Sequence, residues 1–422
     1  LLPDNLFWEK IRKKNIAVYG TGVSSIDIIN QLIKNNNKIY SISKSSLFPF
    51  ARPFNQKIDD PKNKEHKPIF LDDTNINYLK KEINNIKNIK NLDFEKLIHP
   101  LIKIEFYFVY FKFFIQPKEL SNFKKILLKN INRLKRLKNY NFLLLVDLFE
   151  EFIQNMIKSK KIKRKFFKEE WFAKKNILRD IKKKKYNFYD IFINPLIYSD
   201  EKKFKNEYIK FLNWDLKQSK LGNMKSPYKN ACDGVWRDIR PQYTKLFDNC
   251  NNLIIFNYFI NNILSIHNKL CDGPSSYSIY KIKKLIIQNK IKLFKASNFV
   301  TYKDKKNLLV KHRNTKINLN YIFYGILDLY KKNYIKDEMI SSLLKNKLAS
   351  INELKINNKK YKIGLKLDIN QNPVVKNKII KKIRLVGPSA EGKKFFHHTL
   401  SRPDKKQFNI YDLIDWSNKL FN

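Results

Sequence analysis

Residues 15–43 confine the start of this chain to an α/β unit. A short apolar run, Ile16 to Tyr19, leads straight into Gly20-Thr21-Gly22-Val23-Ser24-Ser25. A helical pattern follows through Ile26, Ile29, Leu32 and Ile33, and a second strand-like run, Lys38 to Ile42, closes the unit. Strand, glycine turn, helix and strand together make a glycine motif a candidate dinucleotide site. Gly20 permits the tight turn, and Gly22 lets backbone approach a pyrophosphate. The helix N-terminus supplies free N–H groups and a partial positive charge for phosphates.

Two departures from the motif carry information. Ser25 stands where a third glycine would bring helix and strand closest, so looser packing is expected there. The acidic residue expected about 20 residues on is absent, and the second strand ends in Ser41-Ile42-Ser43-Lys44-Ser45. A carboxylate there would bind a ribose 2′-hydroxyl and repel a 2′-phosphate. Serines and a lysine do the reverse, so NADP is expected over NAD. Lys44 and Arg52 are the candidates for the 2′-phosphate and the pyrophosphate, lysine as a point charge and arginine as a two-pronged donor.

The chain has 422 residues and a formal net charge of +48. The length suits two or three domains with proper cores. The charge invites a nucleic-acid reading. Only 11 of the 86 basic residues are arginine, however, and Lys, Asn, Ile, Phe and Tyr are in excess together. That is the signature of an A/T-rich genome, and it spreads charge over every solvated face. Weak, non-specific polyanion binding at low salt is expected, with no specific nucleic-acid partner.

Cys232, Cys250 and Cys271 show no CxxC spacing and fit a reducing compartment, with neither a zinc site nor a disulfide framework. No metal is expected. No signal peptide is visible, and the apolar stretches at 101–114 and 253–266 carry too many polar residues to span a bilayer. A cytoplasmic protein without a membrane partner is the expectation. The absence of an initiating Met suggests a start inside a longer protein.

The organisation expected is a nucleotide-binding unit over 1–75, a helical insertion over 76–220, a further helical region over 221–300 and a C-terminal α/β segment over 301–422. Phe94, Leu97 and Ile98 mark one apolar helix face and Leu143 to Ile157 another. Lys158 to Lys165 reads as a solvated helix face, residues 290–296 and 308–312 as strands, 352–363 as a polar lysine-rich piece, 383–386 as a last strand, and 410–420 as a helix. Five of the nine glycines sit in three turns: Gly20/Gly22, Gly273 and Gly387/Gly392. The strand-like IRLV before Gly387-Pro388-Ser-Ala-Glu391-Gly392 resembles the opening of a second ligand-facing turn, with an ordinary strand-to-loop turn as the alternative.

Arg237, Asp238 and Arg240 lie close together on a mostly helical pattern. In a lysine-dominated chain, arginine at this density suggests planar recognition of a substrate or cofactor, though Asp233 and Arg237 also form an i, i+4 pair that stabilises a helix. His397 and His398 are adjacent, so they diverge and cannot easily chelate one metal. No Ser–His–Asp or paired-carboxylate constellation is defined by spacing.

The order of these segments resembles the FAD/NAD(P)-binding oxidoreductase family, bacterial flavoproteins distantly similar to flavin-dependent N-hydroxylating monooxygenases. Four blocks carry the resemblance. The first is Gly20-Thr21-Gly22 followed by Ser43-Lys44-Ser45-Ser46-Leu-Phe-Pro49 and Ala51-Arg52, where the family often reads SRRG; here Ser45 and Ser46 replace the second Arg and the Gly. The second is Ser226-Pro227-Tyr-Lys229-Asn-Ala231-Cys-Asp233-Gly-Val-Trp-Arg237-Asp238-Ile-Arg240, similar to the family's SPxKxAxDxxRDxR. The third is Gly273-Pro274. The last is Arg384-Leu-Val-Gly387-Pro388-Ser-Ala-Glu391-Gly392 with Arg402-Pro403.

The resemblance implies a Rossmann-like flavoenzyme that takes hydride from NADPH onto FAD and acts on a small-molecule substrate as reductase or monooxygenase. It implies cofactor contacts at Gly20, Thr21, Gly22, Ser25, Ser43, Lys44, Arg52, Gly387, Pro388, Glu391, Gly392 and Arg402. It also implies an FAD domain ahead of Leu1, which this sequence does not contain: the chain is a C-terminal fragment, takes FAD from elsewhere, or has lost it. The alternatives are a degenerate, non-catalytic nucleotide-binding protein and, behind it, a basic nucleic-acid-associated protein.

Overall fold

A computed structural model describes residues 5–53, 66–85, 94–138, 141–247, 262–296, 299–304, 307–312, 315–325, 338–356, 359–368, 370–385 and 417–418. It is a mixed α/β protein, a small parallel sheet joined to a large helical body. The strands among the described residues are, in chain order, β1 (Asn15–Tyr19), β2 (Lys38–Ser43), β3 (Ile291–Lys295), β4 (Phe299–Asp304), β5 (Asn307–His312), β6 (Thr315–Leu319), β7 (Tyr321–Tyr324), β8 (Ile351–Ile356), β9 (Lys359–Leu365) and the two-residue pair β10 (Val374–Val375) and β11 (Lys378–Ile379). The main sheet runs β3-β2-β1-β7, with every pairing parallel. It therefore draws on three of the four segments anticipated from the sequence, because two of its strands arrive 250 or more residues after β1.

The connections explain the order. The helix Val23–Leu32 carries the chain from β1 to β2 and buries Ile26, Ile29 and Leu32 against Ile16, Val18 and Ile39. The β2-to-β3 connection holds the whole helical body. The β3-to-β7 connection is an antiparallel three-stranded sheet, β4-β5-β6. Ile317 and Leu319 from it pack on the other face of the parallel sheet, against Ala17, Tyr40 and Ile42. Both faces of β1 and β2 are thus covered, and their central residues are buried without alternation, as parallel strands require.

The helical body is organised round the helix His99–Phe111, apolar on every side and with ten residues buried. Such a helix belongs in a core. Helices Leu143–Lys158, Phe188–Ile193 and Pro227–Asp233 surround it. The helix Pro117–Arg136 shows the complementary pattern, with one buried stripe of Leu120, Phe123, Leu127, Ile131 and Leu134. Phe106, Tyr110, Phe172, Phe192 and Tyr228 interlock in the centre with ring centroids 4.5–6.3 Å apart. Among the described residues no helix is long and apolar enough to cross a membrane.

Three local expectations are corrected. Residues 158–165 are not one helix face: Leu143–Lys158 ends, Lys160 takes φ 55°, Ile162 bridges to Ile115, and a new helix begins at Arg164. Buried Ile162 interrupts the lysine run and pins the turn. Residues 352–356 and 359–363 belong to β8 and β9, which pair antiparallel; the lysines masked an apolar alternation through Leu354, Ile356 and Tyr361. Ile383–Leu385 form no strand; Leu385 N–H instead donates to Gln371 O at 3.0 Å. Nearly all of 410–420 lies outside the described residues.

Candidate functional site

The sheet order makes β1 a switch point. From β1 the chain builds outward through β2 and β3, then returns to the opposite side of β1 as β7. Connections leaving in opposite directions open a crevice at the carboxyl ends of the strands, where ligands of open α/β sheets bind. Gly20, Thr21 and Gly22 stand at that crevice. Gly20 takes φ 96°, a conformation costly for any residue with a side chain, and its N–H donates to Ile42 O at 2.8 Å. The glycine turn is thereby laid across the end of β2, beside Ser43 and Lys44.

Gly22 is the N-cap of Val23–Leu32, with no side-chain hydrogen bond to the helix end. A Cβ at Gly22 would meet nothing within 4 Å. The protein itself therefore does not demand glycine here; the space in front of the helix N-terminus is open. An uncapped N-terminus facing open space suits an anion.

The looser packing expected at Ser25 is corrected. Ser25 is fully buried, and its Oγ donates to Gly325 O at 3.1 Å. A Cβ on Gly325 would stand 2.1 Å from that Oγ and 2.9 Å from Ser25 Cα. The close approach normally given by a glycine in the helix is given instead by a glycine just after β7. The small residue has moved across the contact.

At the end of β2, Lys44 is exposed and Ser43 half-buried. The hydroxyls of Ser41, Ser43 and Ser46 are buried without a hydrogen-bond partner. Arg52 lies further along, where the chain has entered the helical body: its N–H donates to Pro274 O at 2.9 Å and its carbonyl accepts from Ser219 Oγ. The segment Phe48–Arg52 is the strap between sheet and helices. Phe48 N–H donates to Tyr208 Oη at 2.8 Å, Phe50 N–H to Lys269 O at 3.0 Å, and Ala51 N–H to Asp215 Oδ2 at 2.7 Å.

The Ser226–Arg240 block supports that strap. Ser226 caps the helix Pro227–Asp233 by accepting from Lys229 N–H. Lys229 is fully buried and donates to Asp215 Oδ1 at 2.6 Å and to Ala51 O at 2.7 Å. Both peptide groups of Ala51 are thus held by one buried ion pair. Gly234 lies against His66 and Val109. Asp238 accepts from His66 N–H at 3.1 Å, and His66 Nε2 lies 2.6 Å from Glu105, which also takes the N–H groups of Ile69, Phe70 and Leu71. Arg237 and Arg240 stand on the same stretch of helix; their side chains are outside the described residues. So are Gly387, Pro388, Glu391, Gly392, Arg402, His397 and His398.

The glycine turn, Ser25, Ser43 and Lys44 are therefore gathered in one place, while Arg52 and Asp238 belong to the strap and the helical body. Lys229, Asp215, Glu105 and Lys269 were not singled out from the sequence as working residues. Lys269 sits 5.3 Å from the Phe50 ring, and burial pushes its ammonium down to about 7. One mark of such residues is visible in a sequence: a lone charge within an otherwise apolar helical face, as Glu105 is.

Among the described residues one group has metal-type donors, His267, Cys271 and Asp272, with ligand atoms within 4.8 Å of one another. All three come from six consecutive residues, and His267 Nδ1 and Asp272 Oδ2 already pair at 3.3 Å. Cys232 and Cys271 are buried; Cys250 is outside the described residues. The chain matches no protein-family model and no curated protein.

Proposed function

We propose that this chain is a Rossmann-like nucleotide-binding protein that holds NADP at the carboxyl edge of its parallel sheet. The reading rests on one observation: the uncapped, open helix N-terminus at Gly22 stands at the switch point of the sheet. The residues there fit the group. The backbone at Gly20–Val23 would receive the pyrophosphate, and Ser43 and exposed Lys44 the 2′-phosphate of the adenosine ribose. NADPH supplies hydride when bound; the chain's own part is to orient the dinucleotide along β1 and β2.

The chemistry implied by the resemblance follows as the wider proposal. The protein serves a flavin-dependent oxidoreductase or monooxygenase reaction in which NADPH reduces FAD, acting on a small molecule. The FAD part rests on the resemblance alone. A catalytically silent nucleotide-binding protein is the second reading, favoured by the structural use of half-buried Asp238 and buried Lys229 in the block closest to the family pattern.

Gly22→Asp is the direct test. It places a carboxylate where the pyrophosphate approaches and exchanges attraction for repulsion. The backbone N–H groups remain, so the effect is the added repulsion, which should weaken NADPH at least tenfold, about 1.4 kcal/mol or more. Since a side chain there meets no protein atom, the fold should survive, and circular dichroism is the control. Unchanged NADPH affinity in a fluorescence titration overturns the assignment.

Cofactor choice gives a second expected result. Wild type should bind NADPH more tightly than NADH, and Lys44→Glu should erase or invert the preference. A wild-type preference for NADH would refute the reading of the β2 end.

A further inference from the structure

The main sheet has an open side at β3, and the helical body stands beside it. Between them lies a cavity of about 290 Å³, lined by the whole of β3, by Ile286 and Asn289 just before it, by Ser46, and by Glu201, Phe204 and Lys205 from the first turns of the helix Glu201–Lys225. Its size is at the lower end of small-molecule sites.

Its walls divide by chemistry. Phe204, Ile286 and Ile291 offer apolar surface suited to a flat ring, while the Phe294 ring stacks on Tyr40 at the other face of the sheet. Lys205 and Lys295 set two ammonium groups against the single carboxylate of Glu201; Lys292 alternates with Lys295 along β3 and projects to the other face. Lys205 is steadied by Asn289 Oδ1, and Lys295 lies 5.9 Å from the Phe204 ring.

Two further observations point to a ligand. Ser46, 2% exposed, contributes to the wall, and its hydroxyl has no hydrogen-bond partner. A buried hydroxyl without a partner in a native fold calls for one. The second is the strand edge. Ile39 N–H bonds to Lys290 O. By the parallel register, the peptide groups of residues 290, 292 and 294 then face β2, and those of Ile291, Leu293 and Lys295 face away from it. Leu293 thus presents an N–H and a C=O side by side toward the cavity. A purine edge, with a ring-nitrogen acceptor beside an exocyclic amine donor, is complementary to that pair.

We infer that the cavity between β3 and the helix Glu201–Lys225 binds a nucleoside monophosphate, its base against the Leu293 strand edge and the Phe204 ring and its phosphate on Lys205 and Lys295. The ligand is a free mononucleotide: in a dinucleotide the same phosphate is part of the pyrophosphate assigned to Gly22, beyond the far end of β1, and cannot also sit on the cavity lysines.

The test is calorimetric titration of the full chain with 5′-AMP, with inorganic phosphate as the anion-only arm. Wild type should bind 5′-AMP, and phosphate alone at least tenfold more weakly. Lys205→Glu combined with Lys295→Glu should weaken 5′-AMP at least tenfold; Lys205 is half-buried and Lys295 exposed, and circular dichroism checks that the fold persists. Phe204→Ala should weaken 5′-AMP while leaving phosphate unchanged. Simultaneous binding of 5′-AMP and NADPH supports the inference; one-for-one displacement by NADPH overturns it, because 5′-AMP would then be occupying the dinucleotide's own site. Absence of 5′-AMP binding, or binding unmoved by the charge-reversal pair, overturns it. NADPH binding abolished by Gly22→Asp would still stand in that case, so the two readings fail separately.

Discussion

Replacing Lys229 with methionine should cost about 3–5 kcal/mol of stability, the range seen when one partner of a buried ion pair is removed. Lys229 and Asp215 are both fully buried, 2.6 Å apart. Methionine fills the volume of the lysine stem but leaves the Asp215 carboxylate with Ala51 N–H and no counter-charge, and leaves Ala51 O without its donor. Isolated charge in a dry interior is the large term; a lost neutral hydrogen bond is worth about 1 kcal/mol. Adding Asp215→Leu should therefore recover much of the loss. Urea denaturation of the three variants reads this directly. A single-variant loss below about 1 kcal/mol, or a double variant no better than the single, would show that the pair is not an isolated buried one. The consequence extends to the candidate site, because the pair grips the strap that runs from the end of β2 into the helical body.

Stability should fall as pH rises from 5 to 8, owing to two carboxyls in the helical core. Burial pushes both Glu150 and Glu170 up from 4.5 to about 7. Tyr107 Oη and Phe188 N–H donate to Glu150, and Tyr110 Oη donates to Glu170 at 2.9 Å; these bonds favour the ionised form but do not offset desolvation. With folded values above unfolded ones, the native state holds more protons between pH 4.5 and 7. The associated stability is complete below about 4.5 and lost as pH passes through 7. Each group is worth on the order of 3 kcal/mol across that window.

His99, buried and held down to about 3, works in the opposite sense below 6.5, and Lys269 does so above 7. The informative quantity is therefore the difference from Glu150→Gln and Glu170→Gln, which retain an acceptor and cannot ionise. Each variant should gain on wild type at pH 8 relative to pH 5 in urea midpoint. Parallel pH profiles for wild type and both variants would contradict the assignment.

The first 43 residues declare their own structure because everything they need is local. Apolar runs of strand length, a glycine at a turn needing positive φ, and a 3.6-residue period between them specify β1, the helix and β2 before any long-range contact forms. The helices of the body were legible for the same reason, through faces such as Leu143–Ile157. Local pattern failed where composition blurred it: lysine, abundant everywhere, hid the break at Ser159–Lys163 and the hairpin of β8 and β9.

The candidate site divides along the same line. Gly20, Gly22, Ser43 and Lys44 could be read together because β1 and β2 are neighbours in sequence and in the sheet. Which strand lies on the far side of β1 is a matter of topology alone. No period or spacing announces that β7, some 300 residues on, completes the switch point, or that Gly325 compensates for Ser25. The buried pair of Lys229 and Asp215 is invisible for a further reason. On paper they are two charges among 124, and only burial, by removing water from both, turns an ordinary lysine and aspartate into the clamp on Ala51. The sequence determined the strands, helices and turn that make a phosphate site thinkable; the tertiary structure decided what faces that turn, because burial and strand order are properties of the whole chain.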